Sequence, residues 1–175
     1  MANHLSDSYG FAPIASSQAK VLILGTMPST ASLLKQQYYS HPRNTFWPIM
    51  SALFDMSIDL DYLQRKEILI NNDVAIWDVL QHCRRIGSLD ANIDMTSITI
   101  NDFDSFFDYH PLITSLFFNG STAEKMYKRY VQPMLSHRFL PLEYQRLPST
   151  SPAYASLGLV QKIEAWRVVK DSMIK

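Results

Sequence analysis

Apolar residues in this chain fall into short unbroken runs, separated by stretches with helical spacing. Val21-Leu22-Ile23-Leu24, closed by Gly25, reads as a strand buried on both faces. Val74-Ala75-Ile76-Trp77 reads as a second strand, and Leu112 to Phe118 as a third. A fourth is expected within Arg138 to Leu147. Phe46, Ile49, Met50, Leu53 and Phe54 recur at i, i+3, i+4, i+7, i+8, which is one helical face. Pro48 falls in that helix's first turn, where a missing N–H matters little. A weaker helix spans 60–70 and ends at Asn71-Asn72. Phe103, Phe106 and Phe107 mark another, stopped near Pro111. Ser121 and Glu124 have capping-box spacing and open a helix that ends before Pro133. A last helix begins near Leu159, with Ile163, Trp166 and Met173 on one side.

Strands alternating with helices imply an α/β fold with a mainly parallel sheet covered on both faces. Residues 1–19 are polar and small and are expected to form an arm that wraps a single domain, 20–175. In open parallel sheets, ligands sit outside the carboxyl ends of the strands. Four polar or Gly/Pro-rich segments follow the four strands: Gly25–Ser29, Asp78, Asn119-Gly120 and Pro148–Pro152. Topology alone gathers them on one edge of the sheet. The last is preceded by Leu147 and carries Ser149-Thr150-Ser151 between two prolines. Short hydroxyl donors on a stiff loop suit close approach to phosphate.

Composition narrows the options. With 175 residues and 47% hydrophobic content, the chain is long and apolar enough for one domain with a real core. The formal net charge is zero, so nucleic-acid affinity has to come from a local surface. A single cysteine, Cys83, excludes an internal disulfide and any multi-cysteine cluster; burial as an inert thiol is the default. No apolar run approaches membrane-span length, and the N-terminal residues lack a signal-peptide pattern. A soluble, cytoplasmic, monomeric protein is expected.

Each candidate site residue has a structural alternative. Gly25–Ser29 is not a phosphate-binding P-loop, because no Gly-Lys-Ser/Thr follows. It could equally be a turn with Ser29 or Thr30 as helix cap. In His41-Pro42-Arg43-Asn44-Thr45-Phe46-Trp47, Asn44 can orient a water and Phe46 can stack on a base. Alternatively, Asn44 or Thr45 caps the helix and Phe46 starts its core face. Asp78 can be a general base, a pocket acceptor or a helix cap. Asn119 can read a base edge or simply begin a tight turn with Gly120. Arg84-Arg85 reads as a basic, solvated loop leading into the Gly87-Ser88-Leu89-Asp90 turn. The histidines show no metal-ligand spacing, and no Gly-x-Ser-x-Gly elbow supports serine-hydrolase chemistry.

Taken together, several stretches resemble the uracil-DNA glycosylase superfamily, and in particular its deoxyinosine (hypoxanthine) DNA glycosylase branch. They are Leu22–Ser29, Tyr38-Tyr39, His41–Trp47, Trp77–Leu80, Arg85–Asp90, Phe118–Gly120 and Leu147–Ala153. The resemblance implies a three-layer α/β/α sandwich with a four-stranded, mainly parallel sheet. It implies hydrolytic removal of a damaged base from double- or single-stranded DNA, without a metal or redox cofactor and without strand cleavage. By the same resemblance Asn44 holds the attacking water. Gly25, Thr26, Met27, Phe46, Asp78 and Asn119 surround the flipped base, and Ser29, Ser149, Thr150 and Ser151 grip the DNA backbone. Thr26 and Met27 stand where uracil-specific relatives carry a water-activating Asp or Asn. Leu147 stands where they carry a histidine. Deoxyinosine is therefore the expected substrate; the alternatives are excision of uracil or thymine mispaired with guanine, or a non-catalytic relative that only binds damaged DNA.

Overall fold

The computed structural model describes residues 5–57, 59–136, 139 and 142–174. Among the described residues there are seven strands: β1 Ser6–Tyr9, β2 Val21–Gly25, β3 Val74–Asp78, β4 Leu80–Arg85, β5 Ile93–Ile100, β6 Ser115–Asn119 and β7 Glu143–Leu147. Six α-helices among the same residues join them: α1 Thr30–Lys35, α2 Phe46–Phe54, α3 Tyr62–Asn71, α4 Phe103–Tyr109, α5 Ser121–Met126 and α6 Leu159–Asp171. The central sheet has the order β3-β2-β6-β7, and every pairing in it is parallel. The α/β fold with four parallel strands expected from the alternating pattern is thus what forms.

Side-chain alternation along β2 sorts the core into two halves. Val21 and Ile23 point to one face, with Phe46, Ile49, Met50 and Leu53 of α2, Leu69 of α3, and Trp166 and Val169 of α6. Leu22 and Leu24 point to the other, with Phe103, Phe106 and Phe107 of α4 and Ala123 and Met126 of α5. Val21, Leu22, Ile23 and Leu24 are all fully buried, which is why the strand reads as an unbroken apolar run.

The pattern did not reveal a second sheet, β1-β4-β5, which is antiparallel. Arg84 and Arg85 lie in its central strand and not in a solvated loop. Arg84 pairs with Asp94 at 2.9 Å, whereas Arg85 turns inward, is 1% exposed and donates to the Pro28 carbonyl. A charged residue at an inward position breaks the alternation that would have marked the strand. Part of the expected N-terminal arm is built into the fold: β1 pairs with β4, and Ile14 bridges Ile76. The capping box at Ser121 does not form. Gly120 is the N-cap of α5, and Glu124 instead meets Lys128 at 2.8 Å and Arg146 at 3.3 Å. After α5 the chain continues through a wide turn, Tyr127–Val131, closed by Gln132 N–H to Tyr127 O at 2.9 Å. The third strand begins at Ser115 and the fourth at Glu143; Arg138 lies outside the described residues.

Trp166 couples this core to the strand-end loops. It is fully buried, and its Nε1 donates to the Pro148 carbonyl at 3.0 Å, directly after β7. Replacing Trp166 with Phe leaves both a void and an unpaired carbonyl, and is expected to cost about 1–3 kcal/mol of stability. Chemical denaturation of the variant beside the native chain checks this.

Candidate active site

The loops following β2, β3, β6 and β7 meet at the carboxyl edge of the parallel sheet around a cavity of about 270 Å³. Its walls include Gly25 through Ser29, Asn44, Asp78, Asn119 and Ser149 through Ser151. A second hollow shares Asp90, Asn119, Ser149 and Tyr154 with the first and runs past Gly120–Thr122 and Arg146. Of the residues expected at the site, the structure brings all but Phe46 to the first cavity.

Phe46 is fully buried and does not line the cavity. Tyr39 covers it, with ring centroids 3.9 Å apart and planes 20° apart. The aromatic surface facing the cavity is therefore Tyr39, held in a left-handed backbone conformation at φ 56°. Phe46 belongs to the core face of α2, the structural alternative for that position. The Tyr38-Tyr39 pair gave no periodic signal, because a side chain placed by a positive φ follows neither strand nor helix spacing.

Asn44 lines the cavity and also serves the helix. Its Oδ1 accepts from Phe46 N–H at 2.9 Å, while Thr45, the N-cap of α2, makes no side-chain cap bond. That bond fixes the plane of the carboxamide and leaves a second oxygen lone pair and the amide protons uncommitted to it. Ser29 likewise combines two positions: its Oγ caps α1 by accepting from Ser32 N–H at 3.2 Å, and it borders the cavity.

Thr150 does not present its side chain to solvent. It is fully buried and accepts from Asn119 Nδ2 at 2.9 Å, while its N–H donates to Asn119 Oδ1 at 2.9 Å. Its carbonyl accepts from Thr45 N–H at 3.0 Å and from Thr45 Oγ1 at 3.2 Å. A phosphate contact by the Thr150 hydroxyl is therefore replaced by a structural role. Ser149 and Ser151 are half-buried, and both Oγ atoms accept backbone N–H groups, from Ser151 and Ala153, each at 3.2 Å. These two bonds use each oxygen as an acceptor and do not use its proton. Gly120 is required beside them: its φ is 94°, and a Cβ there would come 3.0 Å from the Cβ of Ser149.

Asp78 ends β3 and caps no helix, since the chain runs on into β4. It is 3% exposed, and its Oδ2 has no hydrogen-bond partner. It closes over Gly25: a Cβ at position 25 would lie 2.3 Å from Asp78 Oδ1 and 3.2 Å from the Tyr39 hydroxyl. That hydroxyl is also buried, beside the Asn119 side chain. Burial, with Asp90 adding and Arg85 opposing, pushes the Asp78 carboxyl up to about 8. Burial raises Asp90 as well, against hydrogen bonding from Thr26 and the charge of Arg85. Burial followed by the Asp78 charge raises the Tyr39 phenol. Asp90, Ser88, Leu89 and Tyr154 also line the cavity. Sequence reasoning placed none of these four, or Tyr39, at the site, although the Gly87–Asp90 turn was visible as turn chemistry. Ser88 Oγ accepts from Thr30 N–H at 2.9 Å and so holds that turn against α1. Among the described residues, no group of three or more His, Cys, Asp and Glu is arranged to hold a metal ion.

The Asp78 shift has a consequence for stability. The folded chain holds this proton to about 8, whereas the unfolded chain releases it near 3.8. Stability from this group is therefore greatest below the lower value and is lost as pH rises through the upper one. Asp78→Asn removes the titration. The variant is expected to melt above the native chain at neutral pH, with the gap widening between these two values; paired thermal melts across that range check it.

Comparison with known proteins is consistent with this geometry. The model of the Uracil DNA glycosylase superfamily matches residues 12–170. Two proteins named hypoxanthine DNA glycosylase are each 34% identical to the chain. That from Methanosarcina acetivorans aligns over 145 residues, 82% of this chain and 86% of its own. That from Methanosarcina barkeri aligns over 115 residues, 65% of this chain and 72% of its own. A solution NMR structure from Methanosarcina acetivorans, provisionally named a uracil DNA glycosylase, superposes with a TM-score of 0.78 at 29% identity. It covers 97% of this chain and 100% of its own. A match over nearly the whole chain, with the strand-end loops closing one cavity, places this chain in the Uracil DNA glycosylase superfamily.

Proposed function

We propose that this DNA glycosylase excises hypoxanthine from DNA containing deoxyinosine. The observation that carries the reading is the meeting of Asn44 with Gly25–Met27 and the 149–151 loop around one cavity. It is supported by the two relatives named hypoxanthine DNA glycosylase. The substrate base is turned out of the helix into the cavity, and unpairing is easiest at a mispair. Tyr39, backed by Phe46, offers the aromatic surface for the base. The bond to deoxyribose breaks toward an oxocarbenium-like sugar. Asn44, its carboxamide already oriented by Phe46 N–H, holds the water that completes hydrolysis. Catalysis then rests on placed dipoles rather than on a strong base. Ser149 and Ser151 donate to the flanking phosphates, and a cytoplasmic monomer acting on DNA is the simplest setting.

Uracil is the second reading, favoured by the name of the NMR structure. A panel of duplex and single-stranded oligonucleotides carrying inosine, uracil or thymine opposite guanine decides between the two. Release of hypoxanthine at the highest rate is expected; a faster release of uracil overturns the substrate assignment.

Asn44→Ala is expected to lower excision by roughly 10²-fold or more while costing only about 0.5–2 kcal/mol through loss of the Phe46 N–H bond. Single-turnover assays beside denaturation curves separate the two effects, and near-native excision would leave Asn44 as a cap alone. The double change Ser149→Ala, Ser151→Ala is expected to weaken DNA binding several-fold without altering base preference. Fluorescence anisotropy with labelled duplexes reads this directly.

A further inference from the structure

One buried polar atom beside the cavity, Asp78 Oδ2, has no hydrogen-bond partner among the described residues. The other oxygen of the same carboxyl, Oδ1, closes over Gly25, where the missing side chain admits it. Buried polar atoms are almost always hydrogen-bonded, so an unpartnered carboxyl oxygen beside a cavity marks a place where a ligand completes the bonding. Tyr38 and Tyr39 lie within electrostatic reach of Asp78 from the loop after α1, and Asp90 from the turn after β4. Arg85 approaches from β4 but donates to the Pro28 carbonyl. An ionised Asp78 would lie beside a second carboxyl, and Arg85, whose Nη2 is engaged with the Pro28 carbonyl, offsets that charge less than burial and Asp90 oppose it.

We propose that Asp78 carries a proton into the reaction and donates it from its carboxyl to N7, on the Hoogsteen edge of the departing purine. The inference rests on the hypoxanthine reading and deepens it. As the bond between N9 and C1′ breaks, its electron pair moves into the purine ring. The Asp78 proton passes to N7, and the base leaves as neutral hypoxanthine. Water adds to C1′ and gives up a proton, which restores the Asp78 acid through solvent. An anionic base leaving into a buried pocket that also holds Asp90 is unfavourable, and transfer of the Asp78 proton neutralises the base as it leaves. A carboxyl held up to about 8 is protonated at neutral pH and so has the proton to give. Asp90 acts as a positioning residue that keeps the Asp78 proton in place.

The test uses the full chain and duplexes bearing deoxyinosine, deoxyuridine or a deoxyinosine analogue with carbon in place of N7. For native protein, single-turnover rates on deoxyinosine are expected to fall as pH rises through about 8. Asp78→Asn is expected to lose roughly 10²-fold on deoxyinosine and to lose that alkaline fall, while remaining folded by thermal melt. Asp90→Asn, which removes the neighbouring carboxyl, is expected to move the alkaline fall to lower pH. The carbon analogue is expected to slow the native protein and to add little to the defect of Asp78→Asn. Excision by Asp78→Asn at the native rate and with the native pH profile overturns the proposal. So does a carbon-analogue defect that multiplies fully with the mutation. Native protein that releases neither hypoxanthine nor uracil overturns the functional reading itself, which is a different outcome from an unchanged Asp78→Asn.

Discussion

The site depends on Thr150 more than on any group that faces the cavity. Parallel strands deliver the β2, β3, β6 and β7 loops to the same edge, but backbone pairing ends where the strands end. Beyond that edge Thr150 takes over. Through four hydrogen bonds it ties the end of β6, through Asn119, and the start of α2, through Thr45, to the loop after β7. All of its polar groups are used in this way and none reaches solvent. Trp166 anchors the same loop from behind by holding the Pro148 carbonyl. Asn44 precedes Thr45, so its position relative to Ser149 and Ser151 is set by this knot. Buried and fully satisfied, such a network fixes one arrangement, because any partial loosening leaves unpaired groups in a dry interior.

How much of this was legible in the sequence depends on how each residue is buried. The central strands could be read because both faces are covered, which forces a continuous apolar run, as in Val21 to Leu24. The α2 face could be read for the complementary reason, with Phe46, Ile49, Met50 and Leu53 all inward. The antiparallel sheet could not. Arg85 occupies an inward position in β4, and β5 is largely uncovered along Ile93–Ile100. Neither strand then has the apolar alternation on which such reasoning relies. The role of Ser121 was misjudged because a capping-box spacing says nothing about competing partners, and Glu124 had Lys128 and Arg146 within reach.

The cavity walls were legible as loops and less so as individual side chains. Topology alone placed Gly25–Ser29, Asp78, Asn119 and 148–152 together. What topology could not convey is which atom of each residue is already engaged. Asn119 spends both ends of its carboxamide on Thr150, so its value lies in rigidity. Thr150 turns in while its two serine neighbours remain half-buried. Phe46 yields the cavity surface to Tyr39 because a left-handed residue, invisible to pattern, lays one ring upon the other.

Asp78 sets function against folding. A carboxyl at the end of a buried parallel strand, 3% exposed and short of a partner at Oδ2, is a poor choice for stability. Asn would fit the same space without the titration, and an apolar residue would suit the interior better. The fold makes further room for it by leaving position 25 without a side chain, and places Asp90 where it discourages ionisation. Arg85 is close enough to oppose that shift but is turned toward Pro28. Such an arrangement favours the neutral carboxyl, whereas a structural salt bridge would favour the charged one. A buried acid held neutral gains nothing for the folded chain by itself. It becomes useful when a base enters with an unfilled acceptor and the proton has somewhere to go.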